Sequence, residues 1–86
     1  MLVEHLSSRG CPNAAASRDL LGECLSALGI TDTVVERVGD FPSPSVRVEG
    51  VDVMRAVPPT GNCCRLDVPT RAAIMAALQH ALDQDR

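Results

Sequence analysis

The hydrophobic and polar positions in the first half of the chain change period in a way that predicts a strand, a helix and a second strand. Residues 2–6 form a short, mostly apolar run followed by Ser, Arg and Gly, which is typical of a strand ending in a loop. Across residues 13–28 apolar side chains recur at helical spacing, and Gly29 follows where a helix commonly ends. Residues 33–38 are rich in valine and predict the second strand.

The second half of the chain predicts a hairpin between two loops. Residues 45–49 alternate around two valines, and Gly50 then turns the chain into residues 51–54. Residues 39–45 and 55–69 are rich in proline or lack a clear period, so both segments predict loops.

A final helix is predicted after Thr70, which is a typical N-cap residue. Its apolar stripe consists of Ile74, Leu78 and Leu82. The predicted order is therefore β-α-β-β-β-α, with the first two strands parallel because βαβ units are right-handed crossovers. We expect an α/β domain of two or three layers around a mixed sheet. The length favours a single domain over residues 1–86.

One strand carries polar residues that are unusual for its expected position. Glu4 and His5 lie in the first strand, whereas a central strand covered on both faces is usually apolar. We expect His5 and also His80 to have structural rather than catalytic roles.

Composition excludes some classes of function. The hydrophobic residues, 45% of the chain, are nearly all aliphatic, with one Phe and no Trp or Tyr. A net charge of −3 without a basic run argues against nucleic acid as a partner. No stretch reaches the roughly 20 apolar residues of a membrane span, and the first residues do not resemble a secretory signal. We therefore expect a cytoplasmic protein with no membrane partner, in which cysteines act as thiols rather than as structural disulfides.

Cys11 is the principal candidate for chemistry. It falls between the first strand and the first helix and is followed by Pro12, whose fixed φ suits a first helical turn. The unpaired N–H groups and the positive end of a helix dipole favour a thiolate at such a position. Arg9 and Arg18 would add positive charge. The alternative is an inert loop cysteine.

Three further cysteines have different expected roles. Cys24 lies on the apolar stripe of the first helix and is expected to fill the core. The adjacent Cys63 and Cys64 are compatible with a labile vicinal disulfide, with soft-metal binding or with two simple loop thiols. If their loop folds over the Cys11 end of the sheet, either thiol would resolve a mixed disulfide on Cys11. No zinc-type spacing is present, so no metal site and no cofactor is predicted.

Several short motifs resemble the thioredoxin/glutaredoxin superfamily. They are the segment Gly10-Cys11-Pro12-Asn13-Ala14 opening a helix and the segment Ser43-Pro44-Ser45 leading into a hairpin. The fuller patterns Gly-Cys-Pro-Asn-Ala-Ala-Ala, Phe-x-x-Ser-Pro-Ser-Val-x-Val-x-Gly and Cys-Arg-Leu are similar to small actinobacterial thioredoxin-like proteins often labelled alkylmercury lyase-like.

The resemblance implies roles for particular residues. The superfamily has a cis proline beside the reactive cysteine, and Pro44 matches it, with Pro42 as a competing candidate. The backbone of Ser43 would pair with a bound thiol substrate, near Pro12 and Pro44. Cys64, which begins the Cys-Arg-Leu match, is favoured over Cys63 as the resolving thiol.

Two departures from the superfamily pattern change the expected function. Ala14 replaces the second cysteine of a Cys-x-x-Cys motif, so the sequence resembles a monothiol protein. The helix usual between the second and third strands is missing, which would uncover part of a sheet face. We expect monothiol thiol–disulfide exchange through Cys11 with a low-molecular-weight thiol or a protein disulfide. The alternatives are a soft-metal or organomercurial thiol-binding protein and a non-catalytic interaction module.

Overall fold

The computed structural model describes residues 1–54, the backbone of residues 63–64 and residues 68–84. Its elements, in chain order, are β1 (Val3–Ser7), α1 (Ala14–Ala27), β2 (Val34–Val38), β3 (Pro42–Ser43), β4 (Ser45–Val48), β5 (Val51–Asp52), β6 (Cys63–Cys64) and α2 (Arg71–Gln84). No helix in this part of the chain is both long and apolar enough to cross a membrane.

The main sheet is mixed and has the strand order β2-β1-β4-β5. β1 pairs in parallel with β2, so that Val3 lies opposite Val34, and antiparallel with β4, so that Val3 lies opposite Val48. β4 and β5 form an antiparallel hairpin. The predicted α/β class, the parallel first pair and the hairpin are therefore confirmed.

Both helices pack on one face of this sheet. One hydrophobic core joins the sheet to both helices through Val3, Val46, Val48, Val53, Leu21, Cys24, Leu25, Ile74, Leu78 and Ala81. Because strand side chains alternate between faces, Glu4 and Leu6 lie on the other face. The elements of the main sheet and its helices thus form two layers.

The connection from β2 to β3 is short. Residues 39–41 form a bend, and no helix occurs between Val34 and Val48, a segment described throughout. This agrees with the missing helix expected from the sequence. Four of the five residues of β2 are exposed, so the strand forms an open edge of the sheet.

The turn of the β4–β5 hairpin uses the left-handed backbone region. Glu49 has φ 54° and Gly50 has φ 81°, as a two-residue type I′ turn requires. The turn is also joined to the start of the chain: the Leu2 N–H donates to Glu49 Oε1 at 2.6 Å, and the Glu49 N–H donates to the Leu2 carbonyl at 2.8 Å.

Three sequence-based boundaries need correction. The strand predicted over residues 51–54 ends at Asp52, whose Oδ1 accepts the Met54 N–H at 2.8 Å and so turns the chain. The loops predicted over residues 39–45 and 55–69 contain β3 and β6, which pair in parallel as a separate two-stranded sheet.

The helix starts differ from each other in their capping. α1 begins at Ala14 with Asn13 as N-cap, so the exposed Pro12 lies in the preceding turn rather than in the first helical turn. Thr70 caps α2 as predicted, because its Oγ1 accepts the Ala73 N–H at 3.2 Å.

Candidate thiol site

Cys11 is held by its backbone between the end of β1 and the start of α1. Its N–H donates to the Ser8 carbonyl at 3.3 Å, and its carbonyl accepts the Ala14 N–H at 3.3 Å. Gly10, just before it, has φ 76°, a conformation that favours glycine. Cys11 is half-buried and is not part of a disulfide. The loop therefore presents a thiol, still reachable from outside, next to a helix N-terminus.

The Ser43–Pro44 segment lies at the same end of the sheet. The antiparallel register of β1 and β4 ends with Leu6 opposite Ser45. Beyond this pair, β1 continues into Ser7 and Ser8, the residue onto which Cys11 folds back, and β4 is preceded by Ser43 and Pro44. β3 also contacts β1, and both Ser43 and Pro44 are fully buried. The Ser43–Pro44 peptide bond is cis and the bond before Pro42 is not, which agrees with the resemblance.

The Cys63–Cys64 pair is brought to the other side of Ser43. β6 pairs with β3 so that Cys63 lies opposite Pro42 and Cys64 opposite Ser43. Cys64 thus lies beside Ser43 in the small sheet. The side chains of Cys63 and Cys64 lie outside the described part of the structure, as do the hypotheses of a vicinal disulfide and of a soft-metal site.

The two arginines expected near Cys11 have different surroundings. Arg18 Nε lies 3.0 Å from Glu36 Oε1, so this side chain is paired with β2. Arg9 is exposed and lines a shallow depression together with Val38, Gly39 and Asp40. Of these two arginines, Arg9 belongs to the loop that contains Cys11.

The end of the sheet near Cys11 is unusually polar inside. The described buried polar residues all belong to β1, the loop after it, α1 or the β3–β4 segment: Glu4, His5, Ser7, Ser8, Ser17, Ser43 and Ser45. Three of their atoms are buried without a hydrogen-bond partner within the described structure: His5 Nε2, Ser17 Oγ and Ser43 Oγ. Buried polar atoms are normally hydrogen-bonded. The three unpaired atoms distinguish this polar interior from the aliphatic core.

Sequence reasoning missed the two serines Ser8 and Ser17. Ser17 had a detectable signal, since it precedes Leu21 and Cys24 by four and seven positions and so shares their buried helix face. For Ser8, which is 4% exposed, no local pattern marks burial.

His5 lies in a strand as predicted, and it is buried, 3% exposed. Burial lowers its pKa below the ordinary value of 6.5; Glu36 acts in the opposite direction and Arg18 in the same direction. The imidazole is therefore neutral near pH 7.

Cys24 belongs to the core rather than to the site. It is 0% exposed, and burial raises the pKa of its thiol; Arg71 acts in the opposite direction and Glu23 in the same direction. Among the side chains that the structure describes, no group of three His, Cys, Asp or Glu is placed to hold a metal ion.

A cavity of about 480 Å³ lies away from this site, at the opposite end of the sheet. It opens between the β4–β5 hairpin and the second half of α2, with Val48, Val53, Ala77 and His80 among its lining. Cys11 does not line it.

No protein-family model matches this sequence, and neither the curated proteins nor the solved structures give a significant match. The likeness to thioredoxins therefore stays a prediction, and the function is argued from the geometry.

Proposed function

We propose that this chain is a thioredoxin-like domain that carries out thiol–disulfide exchange in the cytoplasm, with Cys11 as the attacking thiol. The observation that carries the proposal is that Cys11, folded back onto Ser8 after β1, lies at the same end of the β1–β4 ladder as the buried Ser43–Pro44 segment. The strand order adds support, because β2 and β4 flank β1 as the resemblance implies.

The start of α1 supports a reactive thiolate. The first N–H groups of a helix have no partner within the helix. Here the Asn13 side chain makes no capping hydrogen bond, and the first turn carries no acidic residue. The positive end of the helix is therefore not neutralised by its own side chains, which favours an anion in the preceding loop.

The proposed reaction is a simple displacement at sulfur. The Cys11 thiolate attacks one sulfur of a low-molecular-weight disulfide, forming a new S–S bond while the second thiol leaves as a thiolate. A resolving thiol then loses its proton to solvent and breaks the new S–S bond. A low-molecular-weight thiolate attacks the substrate-derived sulfur and releases the Cys11 thiolate, whereas a resolving cysteine of this chain attacks Cys11 Sγ and releases the bound half of the substrate as a thiolate.

Two sources can supply the resolving thiol. Ala14 replaces the local cysteine of a dithiol motif. The resolving thiol therefore comes from another low-molecular-weight thiol or from Cys64, with Cys63 as the less favoured candidate. The register of β6 against β3 supports Cys64, since it lies opposite Ser43. If Cys64 attacks, the product is an intramolecular disulfide that a further low-molecular-weight thiol reduces.

The test is the reaction of the reduced protein with glutathione disulfide, followed by intact mass and peptide mapping. We expect Cys11 of the wild type to end as a glutathione adduct, or as a disulfide with Cys64 or Cys63 if that thiol resolves the adduct, and Cys11→Ser to form less adduct in total. Cys24→Ala is the matched control, because it removes a buried thiol away from the site. Equal adduct formation by wild type and Cys11→Ser would overturn the proposal.

A further inference from the structure

β3 is the short strand next to the Cys11 loop, and its pairing bears on which disulfides reach the site. β3 contacts β1 and is hydrogen-bonded to β6, a second segment of the same chain. We propose, on the basis of the thiol-exchange function above, that β6 occupies the docking edge of β3. The site then reacts with low-molecular-weight disulfides and excludes disulfides within extended polypeptides.

The physical reason is that an extended peptide binds beside a sheet by adding a strand to a free edge. The backbone groups of that edge supply much of the affinity, and they must be unpaired when the peptide arrives. At Ser43 the position of an incoming strand is taken by Cys64. A peptide can bind there only after β6 has left.

The free edges of the main sheet, on β2 and β5, do not serve as a docking edge for a peptide in place of the β3 edge. The outer edge of β2 is exposed, but β2 flanks β1 on the side away from β4. A peptide there would be separated from the Ser43 side by two strands, about 10 Å or more. β5 is an edge as well, but it lies at the far end of the hairpin, beyond Glu49 and Gly50.

A small disulfide needs no strand edge. Cys11 is half-buried rather than covered, and the attacking sulfur needs only an approach along the axis of the disulfide bond. The pairing of β6 with β3 therefore excludes disulfides that need to dock through an extended backbone. Small disulfides still reach the half-buried Cys11.

The experiment compares glutathione disulfide with the disulfide-linked dimer of a short extended peptide that has a central cysteine. Adduct formation on Cys11 is measured by mass, and each rate is divided by that of N-acetylcysteine with the same disulfide. In the wild type we expect the normalised peptide rate to be lower by about tenfold, which corresponds to ~1.4 kcal/mol. Equal normalised rates would overturn the inference while leaving the exchange function intact.

A matched pair of variants isolates β6. Cys63→Pro and Cys63→Ser both remove the same thiol, but only proline removes the N–H and disfavours the strand. We expect the ratio of the peptide rate to the glutathione disulfide rate to be about tenfold higher in Cys63→Pro than in Cys63→Ser, two variants that lack the same thiol.

An unchanged ratio of the two rates in a folded Cys63→Pro protein would contradict the role of β6. If that variant does not fold, the wild-type comparison decides the question alone. Absence of any disulfide on Cys11, either with a substrate half or with another cysteine of the chain, would remove the proposed function and, with it, this inference.

Discussion

Arg37 Nε lies 3.2 Å from Glu4 Oε2, an ion pair that joins edge strand β2 to central strand β1 on the sheet face away from the helices. The two side chains differ strongly in exposure, with Arg37 56% exposed and Glu4 8% exposed. Arg47 lies directly across from Glu4 on the other neighbouring strand. A carboxylate is thus held inside the sheet by an arginine that is itself largely in water.

This asymmetry predicts unequal costs for removing the two partners. Arg37→Gln leaves a buried carboxylate without its ion pair and is expected to lower the free energy of unfolding by about 1 kcal/mol, a figure reduced by the exposure of Arg37. Glu4→Gln leaves only a solvated arginine and should cost less. Urea unfolding of both single variants and of the double variant measures the loss in the free energy of unfolding when either partner is removed. A larger loss for Glu4→Gln than for Arg37→Gln would contradict the explanation.

His5 makes stability depend on pH. Burial lowers the pKa of His5 in the folded chain, whereas the unfolded chain has the ordinary pKa of 6.5. Below that pH the unfolded chain therefore binds a proton that the folded chain does not bind. The contribution of neutral His5 is complete above pH 6.5 and is lost as the pH falls below that value, by up to ~1.4 kcal/mol per pH unit.

Urea midpoints between neutral pH and about pH 5 test this, since His5 ordinarily titrates in that window. The dependence of the urea midpoint on pH is expected to be weaker in His5→Gln than in His80→Gln, a control on the exposed part of α2. Equal slopes in wild type and His5→Gln would show that another group is responsible.

Periodicity predicted the main elements because each spans several turns or alternations. The burial of β1 was harder to predict: Glu4 and His5 are atypical of a central strand, yet β1 is central and all five of its residues are buried. The partner of Glu4 is an arginine on a strand that is distant in sequence. A local pattern contains no information about such a partner.

The short strands of the site could not be predicted for a related reason. β3 and β6 have two residues each, too few to show an alternating pattern, and β3 begins with proline in a segment whose composition is typical of a loop. They are strands only because they pair with each other. The position of Cys11 before a helix could be predicted, but the pairing of Ser43 with Cys64 depends on tertiary structure.

Cys11 and Cys24 should differ sharply in alkylation of the native protein. Cys24 is fully buried and burial raises its pKa, so both access and thiolate formation oppose its reaction. A fold stability of about 0.05 kcal/mol per residue lowers the alkylation rate of a core thiol by a factor of roughly 10³. Peptide-resolved mass spectrometry in native buffer should show early modification at Cys11.

The pH dependence of the same reaction distinguishes an activated thiol from an accessible one. If the start of α1 stabilises the thiolate, the alkylation rate of Cys11 should level off below about pH 8.5, the midpoint of a free cysteine. In urea both cysteines should react alike. Rapid modification of Cys24 in the folded protein would contradict the packing of α1 described above.

The two helix N-termini provide a final matched prediction. Thr70 Oγ1 accepts the Ala73 N–H at the start of α2, whereas Asn13 at the start of α1 makes no side-chain capping bond. Thr70→Ala is therefore expected to lower the free energy of unfolding by about 1 kcal/mol, and Asn13→Ala by much less. Urea unfolding of the two variants checks the stability difference. A loss in Asn13→Ala as large as in Thr70→Ala would mean that Asn13 does cap α1, and the uncapped N–H groups proposed to favour the Cys11 thiolate would then be already occupied.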